Sequence, residues 1–261
     1  MKSKLAVVFD LDKTIGYFTQ IAVVMDAVEE VLGRELSLKE FFLFLDLYKY
    51  TFRNEIFKVF KYLKNKKKMN QNMKVLIYTN NMGPKSWVYK IKKYIEYKLN
   101  YKLFDRVIAA WKVGNEIYEP KRTTHNKTYN DLLRCSRLGK NYKILFLDDM
   151  DHKDLRLSKQ VTYLKVDEYV IKKRFCDLID MYMKSPMRKL FSNKIKSQEM
   201  LRLRLEKSVN NSWYPKVNLH KNCFYRGKLY YHNIKEFVDS RSNRNTKRKK
   251  SSRNKTKKRR S

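Results

Sequence analysis

Three stretches of the chain are apolar almost without interruption and stop abruptly at polar residues. Leu5–Phe9 ends at Asp10, Lys74–Tyr78 ends at Thr79-Asn80-Asn81, and Lys143–Leu147 ends at Asp148-Asp149. Continuous apolar runs rich in β-branched residues mark strands buried on both faces, as in a parallel sheet. Residues 20–63 follow another rhythm. Ile21, Val24, Met25, Val28, Val31 and Leu32, then Phe52, Ile56, Phe57, Phe60 and Leu63, recur at three- and four-residue spacing, which predicts helices, with Ser37 as an N-cap between them. Trp87–Leu99 and Lys127–Arg137 carry the same helical spacing, Val161–Val166 predicts a further short strand, and Tyr169–Met183 predicts a helix.

Strands that alternate with helices call for an α/β fold, a Rossmann-like parallel sheet flanked by helices. Ligands in such sheets bind beyond the carboxyl ends of the strands, where all three polar stops fall. The roughly 64 residues between Thr14 and Thr79 predict only a small helical cap, inserted at about 17–63. Apolar periodicity thins after Lys184, so the expected organisation is a catalytic domain over 1–184, an extension over 185–240 and a tail over 241–261. The extension keeps aromatic clusters, Trp213-Tyr214, Phe224-Tyr225 and Tyr230-Tyr231, around an Arg226-Gly227 turn signal.

Charge sharpens this division. The formal net charge is +35, and residues 184–261 hold 25 Lys or Arg against 4 Asp or Glu. From Arg241 to Ser261 there are 12 basic residues and neither acidic nor apolar ones. Such a stretch has no apolar surface to bury against the entropy of ordering, so a disordered polybasic tail is expected. Its charge suits nucleic acid as a partner, or a nuclear or virion-associated location, and equally a solvating segment with no specific partner. Three distant cysteines, Cys135, Cys176 and Cys223, without C-x-x-C spacing fit a reducing, intracellular setting. No stretch reads as a membrane span or a secretion signal.

The chemistry begins at Asp10-Leu11-Asp12-Lys13-Thr14. A D-x-D-x-T spacing after a buried strand sends two carboxylates out of one loop, and the Thr14 hydroxyl can brace the turn. Phosphoryl transfer needs that pairing: one carboxylate attacks phosphorus, while the other protonates the leaving oxygen and later deprotonates the hydrolytic water. Asp10 suits the first role and Asp12 the second.

With these motifs in this order, residues 4–183 resemble the haloacid dehalogenase (HAD) superfamily of phosphatases. The resemblance implies that Thr79 holds the phosphoryl oxygens, and Thr14 and Asn80 are assigned to substrate binding. It implies that a lysine ahead of the last motif, Lys127 or else Lys121, stabilises charge. It also implies that Asp148 and Asp149 join Asp10 and the backbone carbonyl of Asp12 in a magnesium site. Asp12-x-Thr14 and Tyr78-Thr79-Asn80-Asn81 are similar to the carboxy-terminal-domain phosphatase branch (the FCP/SCP, or NLI-interacting-factor, type), which implies a phosphorylated protein as substrate. A composition rich in Lys, Asn, Tyr and Ile suggests an AT-rich genome, and only together with the resemblance does it suggest a large DNA virus as the source. Two other readings stand beside it: a polynucleotide end or small phosphoester as substrate, and a scaffold that binds nucleic acid through its basic C-terminal third. His125 and His152 are expected to be structural, Trp87 and Trp111 to pack, and Arg53 and Arg122 to form surface salt bridges.

Overall fold

The computed structural model describes residues 3–191, 194–210, 223–226 and 231–241. The chain divides into two compact units, one formed by residues 1–14, 55–167 and 228–261, the other by 15–54 and 168–227. In chain order the elements are β1 (Leu5–Phe9), α1 (Thr19–Leu32), α2 (Leu38–Leu47), α3 (Ile56–Met69), β2 (Met73–Tyr78), α4 (Lys85–Leu99), β3 (Arg106–Ile108), β4 (Lys112–Val113), β5 (Glu116–Ile117), α5 (Tyr129–Ser136), β6 (Lys143–Asp148), α6 (Lys153–Leu157), β7 (Val161–Lys165), β8 (Tyr169–Lys172), α7 (Phe175–Lys184), α8 (Lys194–Asn210) and β9 (Cys223–Arg226). A last helix, α9, covers residues 231–241.

The first unit is the expected α/β fold, a five-stranded parallel sheet in the order β3-β2-β1-β6-β7, flanked by helices. β1 lies at the centre and all five of its side chains are fully buried, as its unbroken apolar run requires. Alternation along the strands separates two faces. On one, Ala6, Val8, Leu76, Tyr78, Ile144 and Phe146 pack with Leu132 and Cys135 of α5 and Leu155 of α6. On the other, Phe60 of α3 meets Phe9 of β1 and Phe104 edge-on, each pair of rings 5.5 Å apart. α9 joins α3 through the Tyr62 and Tyr231 rings, 5.8 Å apart, and the Lys66–Asp239 ion pair at 2.7 Å. The strand order reverses between β1 and β6, so the crevice favoured for ligands opens beyond Phe9 and Asp148.

The second unit is mainly helical. Gly33 ends α1 in the left-handed conformation, φ 69°, and Ser37 opens α2 with a capping box completed by Glu40. The Tyr48 hydroxyl donates to the Leu178 carbonyl in α7 at 2.8 Å. Gln20 exchanges two hydrogen bonds with the backbone of Lys173, at 2.6 and 3.0 Å. Arg53, expected at the surface, is buried, with its guanidinium 5.4 Å from the Tyr169 ring.

The helix expected over Tyr169–Met183 is shorter than its apolar pattern suggested. Tyr169–Lys172 is instead strand β8, paired antiparallel with β9, and the helix starts at Phe175. Tyr-Val-Ile is a β-favouring run, and its partner strand arrives more than fifty residues later, out of reach of any local pattern. Beyond Lys184 the chain contributes α8 to the helical unit and α9 to the sheet unit. Phe224 and Tyr225 lie in β9. Trp213, Tyr214, Gly227, Tyr230 and the polybasic tail past Arg241 lie outside the described residues.

Candidate active site

The register of the central strands sets the site. Phe9 pairs with Leu147 and the Asp10 N–H donates to the Leu147 carbonyl at 2.9 Å, so Asp10 and Asp148 come side by side. Both continue the alternation of Ala6, Val8 and Phe146, and therefore point to the face that carries α5. Lys127 comes to meet them from the loop before α5. Its Nζ donates to Asp10 Oδ1 at 2.5 Å and to Asp148 Oδ2 at 2.7 Å, all three side chains being buried. Its neighbour fixes that position: Thr128 caps α5 by accepting from the Asp131 N–H, and Asp154 accepts from the Tyr129 N–H at 2.7 Å. Lys121, the other lysine considered, is exposed.

The remaining residues close around this pair. The loop after β1 turns at Lys13, a non-glycine residue at φ 58°. Thr14 Oγ1 donates to Asp149 Oδ1 at 3.2 Å and accepts from the Asp149 N–H at 3.1 Å, joining the first acidic loop to the last. The Asp148 carboxylate also accepts from the Met150 N–H at 2.8 Å, and His152 Nε2 stands 3.3 Å from its Oδ2. Thr79 follows β2 and is buried, its N–H donating to the Ile108 carbonyl and its Oγ1 accepting from the Asn81 N–H, both at 3.0 Å.

Two residues enter where the sequence reading had not placed them. Asn81 reaches the acidic loop, its Nδ2 donating to Asp12 Oδ2 at 2.7 Å. Asn80, beside it, donates to the His125 carbonyl at 3.0 Å. Arg122, expected in a surface salt bridge, is buried and donates to four carbonyls. These are Thr79 at 3.2 Å, Ala109 at 2.8 Å, His125 at 2.9 Å and Asn126 at 3.3 Å. It thereby ties the end of β2 to the loop that delivers Lys127. His125 is exposed with its ring 5.0 Å from Trp111.

Burial pushes the Asp10 carboxyl well above the ordinary carboxylate range, against the pull of Lys127 and with Asp148 and Asp12 adding to the rise. Burial also raises Asp12, opposed by the Asn81 hydrogen bond, and raises Asp149, with Asp148 adding to it. For Asp148, burial acts upward but is outweighed by Lys127 and His152, and the carboxyl ends below its usual value. Lys127 ends above its usual value, because its two carboxylates outweigh the opposing effect of burial.

Asp10, Asp148 and Asp149 each place an oxygen within 4.8 Å of the others, a spacing compatible with a shared metal ion. One ammonium cannot balance three gathered carboxylates, and Asp12 Oδ1 is buried with no hydrogen-bond partner in the protein. An all-oxygen set of this charge fits a hard divalent cation. The Asp12 carboxylate is not one of the gathered three.

No family model matches the chain, and no curated protein matches it. Among solved structures it is similar to the HAD domain of the effector protein Lem4 from Legionella pneumophila, in an inactive mutant. The identity is 13% over 76% of this chain and 98% of that one, with a TM-score of 0.41.

Proposed function

We propose that the chain is a magnesium-dependent phosphomonoesterase of the HAD type, acting through an aspartyl-phosphate on Asp10. The observation that carries this reading is Lys127, buried between Asp10 and Asp148 at 2.5 and 2.7 Å, with Asp12 leaving the same loop as Asp10. In this reading an Asp10 carboxylate oxygen attacks phosphorus, the phosphorus–oxygen bond to the leaving group breaks, and the Asp12 carboxyl gives its proton to the departing oxygen. Asp12 then takes a proton from the water that attacks the phosphoenzyme, releasing inorganic phosphate and restoring Asp10. A raised Asp12 carboxyl suits a group that must first be protonated. Lys127 balances charge on the transferring group, and its burial favours it over exposed Lys121 for that role.

Asp10, Asp148 and Asp149 would hold magnesium, with the Asp12 backbone carbonyl as a further oxygen. Bound there, the ion would offset the repulsion between these carboxylates and a phosphate dianion. Thr79 and Thr14 supply hydroxyls for phosphoryl oxygens, and Asn80 is assigned to the substrate side. For the substrate we propose phosphoserine or phosphothreonine in a protein, on the similarity of Asp10–Thr14 and Tyr78–Asn81 to the carboxy-terminal-domain phosphatases.

Hydrolysis of para-nitrophenyl phosphate by the full chain tests the reaction. Turnover is expected with magnesium, to be lost on chelation, and to fall on the order of a thousandfold or more in Asp10→Asn. Magnesium-independent turnover, or turnover retained in Asp10→Asn, contradicts the reading. Comparing a phosphopeptide with a 3′-phosphorylated oligonucleotide tests the substrate, and preference for the oligonucleotide overturns the phosphoprotein assignment.

A further inference from the structure

Two helices of the sheet unit are densely basic. α3 and α4 together carry eleven lysines against one acidic residue, Glu96. That carboxylate is held by Lys92 at 2.7 Å and by the Phe104 N–H at 2.9 Å. Asp105, just beyond α4, is held by Lys67 at 2.6 Å. α3 ends at Met69, four residues before β2 begins. The last turns of α3 and α4 therefore lie at the amino ends of the strands, whereas Asp10, Thr79 and Asp148 stand at the carboxyl ends.

Tyrosines are set among these lysines. An open depression of about 650 Å³ is lined by Glu96, Tyr97, Lys98, Asn100, Tyr101 and Lys102. Tyr97 is 62% exposed. Lys64 and Lys68 of α3 hold the Tyr101 ring from 5.8 and 5.7 Å. Lys64 also donates to the Leu99 carbonyl at 2.7 Å, which pins α3 to the end of α4. The chain leaves the described residues at the same pole. The Arg241 carbonyl accepts from Ser3 Oγ at 3.1 Å, just before β1.

We propose that this pole of the sheet unit binds single-stranded nucleic acid. Lys68, Lys98 and Lys102 meet the phosphates, and exposed Tyr97 stacks on a base beside the Tyr101 ring that Lys64 and Lys68 hold. Lysines alone would serve any polyanion. An exposed tyrosine beside a fixed one adds a surface for unstacked bases, which single strands offer and duplexes do not. A lipid surface fits less well, since the exposed large apolar side chains of α3 and α4 among the described residues are Met69 and Tyr97 alone. The site is independent of the phosphatase reading and stands whether or not Asp10 is a nucleophile.

Fluorescence anisotropy of a labelled oligothymidylate with the full chain tests it, with inorganic polyphosphate and phosphatidylserine vesicles as probes lacking bases. Tyr97→Ala is expected to weaken the oligonucleotide about tenfold while leaving polyphosphate binding unchanged. Replacing Lys68, Lys98 and Lys102 together by Gln should reduce the steepness of log affinity against log salt by about 2, near 0.7 per lost phosphate contact. Unchanged oligonucleotide affinity in Tyr97→Ala overturns the proposal, as does an equal loss for polyphosphate. Vesicle binding that outcompetes the oligonucleotide would identify a membrane surface instead and also overturn it.

Discussion

Four carboxylates, Asp10, Asp12, Asp148 and Asp149, share the end of the sheet with one buried ammonium. Lys127→Met would leave Asp10 and Asp148 buried without their cation, and breaking such a pair from one side costs about 3–5 kcal/mol. Urea unfolding checks this, and adding Asp148→Asn should recover part of the loss, because one uncompensated charge is then gone. Asn81 offers a finer test. Its hydrogen bond holds the Asp12 carboxyl down against burial, so Asn81→Ala should raise that group further. If protonated Asp12 is the acid, activity falls as pH rises through its pKa, and this alkaline limb should move to higher pH in the variant. A pH–rate profile whose alkaline limb stays in place would remove Asp12 from that role. At this scale the acids were legible because they follow apolar runs, whereas Lys127 came only from the resemblance, with Lys121 beside it. The sequence could not show Arg122, whose acceptors are backbone carbonyls from three separate segments and leave no trace in residue type.

At the level of elements, the strands buried on both faces were legible because burial leaves an unbroken apolar run. β1 spans the expected residues, and β2 and β6 each differ by a single residue at one end. β3 was missed because it has only three residues and begins with the exposed Arg106. β8 was read as helix because its partner is β9, far along the chain. The Ser37 cap was read from sequence and makes a full capping box, whose Glu40 is also gripped by Arg34 at 2.8 and 2.9 Å. The Arg34 hydrogen bonds hold the Glu40 carboxyl at about 2, below its ordinary 4.5. A depressed carboxyl stabilises the fold fully above its unfolded value, so this contribution should fade as pH falls from 4.5 towards 2. Glu40→Ala should therefore cost about 1 kcal/mol at neutral pH, and the gap from wild type should close near pH 2. Melting curves at both ends of that range check it, and a gap that persists in acid would assign the loss to packing.

For the whole molecule, the average charge of +35 conceals two arrangements. At the carboxyl ends of the strands, Asp10, Asp148 and Asp149 gather at a spacing compatible with a metal ion. At the amino ends, lysines and tyrosines gather with few acids among them. The parallel sheet and the placing of the acidic motifs were readable because both follow from local pattern. The division into two units was not, since the helical unit joins residues 15–54 to residues 168–227. Among the described residues no helix is long and apolar enough to cross a membrane. The claim on which the functional account depends is that Asp10 itself becomes phosphorylated. Borohydride reduces an acyl phosphate to the alcohol, so quenching the magnesium-loaded chain during turnover of a phosphomonoester and sequencing its peptides by mass spectrometry reads this directly. The account predicts homoserine in place of Asp10, dependent on both substrate and magnesium. Unmodified Asp10 under sustained turnover, or homoserine at Asp12 or Asp148, would contradict it.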